Sequence, residues 1–122
     1  MTKTLCTSCV HRPLCKYWHF SMAKCDEYDP IFDVYKTAVD HYGMEEQLNV
    51  FHGEIGELMT AVADYRRGRD TKDHVAEELA DVLICCKELM YGLNIKQRDV
   101  LCWQDKKLHR LATKLVEEGV VE

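Results

Sequence analysis

Two apolar helical segments of this chain are interrupted by carboxylates, and this pattern constrains the fold more than any other feature. The segment "HGEIGELMTAVADY" carries Glu54 and Glu57, and "HVAEELADVLICCKELM" carries Glu78 and Asp81. Their apolar residues recur every three or four positions, which is typical of a helix with one buried face. The chain must therefore place four acids beside the core of two long helices.

Helical periodicity runs through the rest of the chain as well. It predicts four helices joined by short connections, over about residues 30–42, 44–67, 71–92 and 95–118. Asp29 is expected to cap the first helix, with Pro30 as its first residue, Gly68 in "RRGRD" to end the second, and Asp70 or Thr71 to cap the third. Asn94 is expected to cap the last helix; the alternative is that it contacts a ligand. Because no stretch alternates as strands and hairpins do, the predicted fold class is all-α.

The apolar stripes of these helices are the predicted core. They comprise Leu48, Phe51, Ile55, Leu58, Val62 and Tyr65 in the second helix, Val75, Leu79, Val82, Cys86, Leu89 and Leu93 in the third, and Leu101, Leu108, Leu111 and Leu115 in the last. Cys85 and Cys102 lie in the same apolar helices, and we expect them to pack in the core with Cys86.

Four cysteines near the start of the chain define a separate segment. They share the spacing C-x2-C-x5-C-x9-C and are Cys6, Cys9, Cys15 and Cys25. This set suits a tetrahedral Zn²⁺ site, an iron–sulfur cluster uses the same four thiolates, and His11 or His19 could replace one of them. A segment this short cannot bury a core, so a metal would supply its folding energy. We predict a metal-binding arm, 1–29, before a helical domain, 30–122; the alternative is four unliganded thiols in a tail.

Charge and hydropathy narrow the range of partners. The net charge is −5, and most of the acidity follows residue 30, which argues against nucleic-acid binding by the helical domain. The arm is nearly neutral, which weakens nucleic-acid binding there too. No apolar run approaches the roughly 20 residues of a membrane span, and the first residues lack the apolar stretch of a signal peptide. We therefore expect a cytoplasmic protein without a membrane partner.

The two acid pairs have matched positions on their helices. Glu54 and Glu57 lie about 70° and about 130° from the centre of their apolar stripe, and Glu78 and Asp81 lie about 60° and about 120° from theirs, on the same rotational side. If the helices pack antiparallel, the pairs face each other across a groove. Four close carboxylates repel unless protons or cations neutralise them, and Mg²⁺ prefers oxygen ligands. The alternative for each pair is a solvated helix surface.

A family resemblance adds to this interpretation. The segment "MEEQLNVFHGEIGELMTAVADYRRGRDTKDHVAEELADVLICCKEL" resembles the MazG-like nucleotide pyrophosphohydrolases, an all-α superfamily. The family pattern is ExxE, a spacer of roughly twenty residues and then ExxD, supplied here by "EIGE" at 54–57 and "ELAD" at 78–81. The resemblance covers residues from about 31 to 115. The family core does not require a cysteine arm, so this chain departs from it there.

The resemblance implies a reaction and its residues. Members cleave a nucleoside or deoxynucleoside triphosphate between the α and β phosphates, releasing the monophosphate and pyrophosphate. The catalytic Mg²⁺ ligands would be Glu54, Glu57, Glu78 and Asp81. A bound metal would neutralise developing charge and lower the pKa of the attacking water.

Substrate contacts are expected outside the acids. Lys107 and Arg110 resemble the KxxR element that contacts the triphosphate. The alternative is that they are ordinary solvent-exposed cations of the last helix. Gln47 also matches the family and has an amide that could read a base edge. Phe51 or Trp103 could stack on a base, although Phe51 has the spacing of a core residue.

Members of the superfamily commonly complete the site with a second subunit, so we expect a homodimer or homotetramer. The alternative to an enzyme is a catalytically inactive MazG-like domain that serves as a zinc-dependent interaction or regulatory module. The presence of all four acids favours the enzyme, because a domain freed from catalysis has no reason to keep mutually repelling carboxylates together.

Overall fold

The computed structural model describes residues 32–121, so the arm and its four cysteines lie outside the described residues. Within this range the fold is all-α, as predicted. The helices are Val34–Tyr42 (α1), Met44–Arg66 (α2), Lys72–Gly92 (α3) and Gln97–Glu117 (α4). Across residues 32–121, every helix is either too short or too polar to span a lipid bilayer.

The first helix starts later than the sequence predicted. Asp33, with an extended backbone, is its N-cap and accepts a hydrogen bond from the Lys36 amide at 3.1 Å. The prediction of a start at Pro30 was therefore wrong, because Asp33 caps the free amides of a helix that begins at Val34. The start of α3 was predicted correctly: the Thr71 hydroxyl accepts from the His74 amide at 3.1 Å.

Left-handed residues follow the ends of α2 and α3. Gly68 (φ 73°) follows α2, as its position in "RRGRD" predicted. Asn94 (φ 55°) follows α3, where the amide of Ile95 donates to the Met90 carbonyl at 2.8 Å. Asn94 therefore ends α3 and does not cap α4, whose N-cap is Lys96 without a side-chain hydrogen bond.

Helices α2 and α3 form the centre of the fold. They are joined by the short connection 67–71 and pack side by side along their lengths, and α1 lies against both, mainly against α3. A short connection makes neighbouring helices antiparallel. The site described below lies where these three helices meet.

The core is small. Its buried apolar residues among the described ones are only Val39, Ala61 and Cys85, and Gln47 and Glu78 are buried beside them. The predicted stripes of α2 and α3 are only partly buried, and Leu79, Cys86 and Leu93 are exposed. The most buried line is rotated away from these stripes, so the apolar periodicity predicted the helices correctly but not the face at the centre of the packing.

The fourth helix contradicts the predicted core most clearly. Leu101, Leu108 and Leu111 are 49%, 55% and 51% exposed, and Cys102 is exposed as well. Only Leu115 is half-buried. The physical reason is that α4 makes almost no contact with the other helices, so nothing in the described part of the chain covers its apolar face.

One long-range hydrogen bond ties α1 to the end of α3. The Tyr91 hydroxyl donates to the Asp40 carboxylate at 3.0 Å, and Lys36 approaches the same carboxylate at 3.4 Å. The hydrogen bond to Asp40 raises the pKa of Tyr91 above its usual range. Because α1 forms one wall of the cavity described below, this bond helps to hold that wall in place.

Replacing Tyr91 with Phe should lower the urea midpoint of unfolding slightly, because it removes one solvent-exposed hydrogen bond. Urea denaturation of Tyr91→Phe, Asp40→Ala and the double variant, at one fixed protein concentration, checks this. The two effects should be less than additive, since either change removes the same bond. If the two changes in stability were strictly additive, the Tyr91–Asp40 hydrogen bond would contribute nothing to the fold.

Candidate metal centre and adjoining cavity

The most buried line between α2 and α3 carries polar side chains. On α2 it comprises Gln47, Glu54 and Ala61, each seven residues after the last, and on α3 it comprises Glu78 and Cys85, also seven apart. Residues seven apart lie on one face of a helix. Two tightly packed helices therefore direct acidic and amide groups at each other, where apolar side chains would ordinarily lie.

Three of the four predicted acids lie together. One carboxylate oxygen each from Glu54, Glu78 and Asp81 lies within 4.8 Å of the others. Glu78 is only 7% exposed, and the other two are half-buried. Oxygens at this spacing, presented by two rigid helices, can bind one cation in common.

Two oxygens of this cluster have no partner. Glu54 Oε2 and Glu78 Oε2 are buried and make no hydrogen bond within the described part of the chain. A buried charged oxygen without a partner destabilises the fold, because it loses its hydration and no hydrogen bond replaces it. A hard divalent cation such as Mg²⁺ takes oxygen ligands of this kind, so the donor set fits it.

Repulsion within the cluster also alters the protonation of Glu54. Burial raises the pKa of its carboxyl, and the negative charges of Glu57, Asp81 and Glu78 raise it further. Both causes disfavour the ionised form. A bound cation would reverse the effect by favouring the carboxylate, so the cluster is electrostatically unsatisfied as the chain alone builds it.

Glu57, the fourth predicted ligand, lies at the edge of the cluster. It is exposed, one turn after Glu54, and it is not among the three residues whose oxygens come together. Its charge still acts on Glu54. Glu77 is exposed and outside the group. The geometry therefore ranks Glu57 below the other three as a ligand.

A histidine absent from the predicted site contacts the cluster. His74 lies between Asp70 and Glu78: Nδ1 hydrogen-bonds the Asp70 carboxylate, and Nε2 lies 3.2 Å from Glu78 Oε1. The Asp70 hydrogen bond raises the pKa of His74, and the same bond lowers the pKa of Asp70. His74 thus holds one Glu78 oxygen and leaves Oε2 directed elsewhere, as an outer-shell partner of a ligand does.

A cavity of about 340 Å³ adjoins the acids. Its walls are largely apolar and come from three helices: Ala38 and Tyr42 of α1, Val50 of α2, and Ile84 and Cys85 of α3. Burial raises the pKa of the Cys85 thiol, which keeps this wall neutral. Small-molecule sites are commonly apolar cavities of this size with a few polar groups.

The polar groups of the cavity lie along α2 and α3. Glu54 and Asp81 line it, and so do Glu46, Gln47 and Glu88. Gln47, predicted to bind substrate, is 8% exposed and is brought to the same cavity as the acids. Phe51 is half-buried and does not line the cavity, and Trp103 lies exposed on α4 beneath the Lys106 ammonium.

The predicted phosphate contacts are not part of this cavity. Lys107 and Arg110 are exposed on α4, which hardly touches α2 or α3. Within one chain, the described residues therefore bring acids and Gln47 together but leave these two cations outside.

Comparisons with protein-family models, with curated proteins and with solved structures find no match to this chain. Its function must therefore be argued from its own residues.

Removing one of the three clustered carboxylates should weaken divalent-cation binding strongly. Calorimetric titration with Mg²⁺ or Mn²⁺ should show that Glu54→Gln, Glu78→Gln and Asp81→Asn each lose at least the roughly 10–100-fold in affinity that even an outer-shell partner contributes. Glu57→Gln should lose less, and the exposed Glu45→Gln should be unchanged.

The three variants of the clustered acids should raise the melting temperature of the protein in EDTA, because each removes a repelling charge, whereas Glu45→Gln should not. Equal cation affinity in the wild type and these three variants would contradict the metal centre.

Proposed function

We propose that the chain is a Mg²⁺-dependent nucleotide pyrophosphohydrolase of the MazG-like type. The observation that carries the proposal is the convergence of Glu54, Glu78 and Asp81, with two buried unpartnered oxygens, at a cavity with apolar walls. Acids that hold a cation suit a polyphosphate, and an apolar cavity beside them suits a base.

In this proposal a water molecule attacks the α-phosphorus of a nucleoside or deoxynucleoside triphosphate. The bond from that phosphorus to the bridging oxygen breaks, and pyrophosphate leaves with that oxygen. The oxygen of the attacking water stays on the monophosphate, and its proton is released to solvent. Mg²⁺ bound by the acids supplies charge neutralisation and a water of lowered pKa. Glu54, Glu78 and Asp81 position the ion, His74 orients Glu78, and Gln47 contacts the nucleotide in the cavity.

A triphosphate also needs cations from the protein, and α4 carries candidates for that role. Lys107 and Arg110 lie about 85° and about 145° from the centre of the α4 apolar face, both on one side of it. If that face docks on a second copy of the chain, Lys107 lies at the edge of the contact and Arg110 lies farther round the helix on the same side. We propose that they reach the phosphates in this way, in a homodimer or homotetramer.

The exposed apolar surface supports that assembly. Three buried apolar residues make a very small core for the roughly ninety described residues, and four leucines of α4 are left with little cover. Contiguous apolar faces on soluble proteins usually mark interaction sites. A second copy is the occupant that would bury this face and add basic residues to an acidic site.

The second candidate is a non-enzymatic module in which the cysteine arm binds Zn²⁺ or an iron–sulfur cluster and the helical domain mediates an interaction. The spacing of Cys6, Cys9, Cys15 and Cys25 favours it. It leaves the two unpartnered oxygens of the acidic cluster unexplained. We therefore place it second and propose a cytoplasmic enzyme that also carries the arm.

Purified protein incubated with separate nucleotides should release monophosphate and pyrophosphate only when Mg²⁺ is present. Glu54→Gln should abolish this activity, because it removes a ligand and a charge from the metal centre. Product identification by ion-exchange chromatography checks both statements. Release of diphosphate and inorganic phosphate, or full activity in Glu54→Gln, would contradict the proposed reaction.

Light scattering on a size-exclusion column should give the mass of a dimer or tetramer. Leu111→Lys should shift the protein to a monomer, since a charge in the apolar face opposes docking. Thr113→Lys, on the opposite side of α4, is the matched control and should leave the mass unchanged. Retained helicity by circular dichroism shows that a variant is folded, and a monomeric wild type would contradict the assembly.

A further inference from the structure

The cavity between α2 and α3 has two distinct ends. Glu54 and Asp81 line it at one end, and Gln47 and Glu88 line it seven residues away along each helix. Seven residues at about 1.5 Å rise span roughly 10 Å. That is comparable to the length of a nucleotide from its α-phosphate to the far edge of its base, so a phosphate held at the acids would place the base near Gln47 and Glu88.

Hydrogen-bond acceptors predominate at this far end. Glu46 and Glu88 carry carboxyl groups there, and an ionised carboxylate can accept hydrogen bonds but cannot donate them. Gln47, whose amide can donate and accept, is 8% exposed, and its side chain makes no hydrogen bond with any residue from 32 to 121. Gln47 is not among the residues with buried unpartnered atoms, so its amide is accessible at the cavity wall, where a polar ligand could bind it.

Glu88 is an acceptor at this end that no described residue satisfies. Its half-buried carboxyl has no ion pair or hydrogen bond within the described residues, and burial raises its pKa. A donor supplied by a ligand would satisfy it, whereas another acceptor would add repulsion.

Nucleobases differ in the groups they offer to such an edge. Cytosine, adenine and guanine carry an exocyclic amino group that donates hydrogen bonds, and Glu accepts well from cytosine N4. Uracil, thymine and hypoxanthine carry a carbonyl oxygen where cytosine and adenine carry the amino group. A carbonyl facing Glu88 would leave two acceptors opposed and unsatisfied.

We infer that the far end of the cavity selects nucleotides whose base carries an exocyclic amino group, and that Glu88 sets this preference by accepting a hydrogen bond from that group. The inference rests on the proposed function, because the acids fix which end of the cavity holds the phosphates. It makes Glu88 a specificity-determining residue of that site and predicts discrimination against uracil and thymine.

The test uses substrate pairs that differ only by an amino-to-oxo exchange. The values of kcat/KM are measured on the full chain for dCTP against dUTP and for dATP against dITP. The amino member of at least one pair should be preferred by roughly tenfold or more, the discrimination expected of one well-placed base contact. Glu88→Gln, which keeps the side-chain shape but exchanges an acceptor oxygen for a donor, should bring that ratio close to one.

Glu45→Gln is the matched control, because Glu45 is exposed on the first turn of α2 and does not line the cavity. It should leave every ratio unchanged. Hydrolysis with equal rates in both pairs, a preference for dUTP or dITP, or an unchanged preference in Glu88→Gln would overturn the inference while leaving the proposed function intact.

Absence of hydrolysis for every nucleotide would instead remove the proposed function. Calorimetric binding of dCMP against dUMP and of dAMP against dIMP, without divalent cation, then decides the base preference separately. Tighter binding of the amino member, lost in Glu88→Gln, would support selection by the cavity. Equal binding within both pairs, or no binding of any monophosphate, would overturn it.

Discussion

The packing of α2 against α3 determines both the fold and the candidate site. The most buried line of this contact carries Glu54 and Glu78, where apolar side chains would stabilise the pair of helices better. The cost is visible in two buried oxygens without partners and in the raised pKa of Glu54. Repelling carboxylates at a central helix contact must be neutralised by protons or cations, and we propose that a divalent cation does so here.

The small core follows from the same arrangement. Because polar residues occupy the centre of the α2–α3 contact, much of the apolar surface of the chain remains at the periphery. On α4 this surface forms a face that the described helices leave uncovered. An assembly of copies would bury that face and bring basic residues towards an acidic site. The proposed metal binding, oligomerisation and phosphate binding would then share one structural cause.

The sequence predicted the helices well because periodicity and end signals are local. Gly68 and Thr71 lie where their chemistry predicted, and the equal angular offsets of the two acid pairs predicted that Glu54, Glu78 and Asp81 could meet. The burial of α4 was predicted wrongly, since an apolar stripe shows that a face needs cover but not what covers it.

The missed residues had weaker signals. His74 lies four residues from both Asp70 and Glu78, a helical spacing that could have indicated its two contacts. Glu88 lies seven residues after Asp81, on the same face, but only the position of α1 closes the cavity around it. Such tertiary placement has no local signature in the chain.

The central claim is that Glu54, Glu78 and Asp81 hold a divalent cation against a nucleotide. The most direct measurement is anomalous diffraction from crystals of the full chain grown with Mn²⁺ and a non-hydrolysable α,β-imido nucleotide. An anomalous peak should lie within bonding distance of oxygens of these three residues, with the α-phosphate beside it and the base in the cavity lined by Gln47. Nucleotide bound elsewhere, with no peak among the three carboxylates, would contradict it.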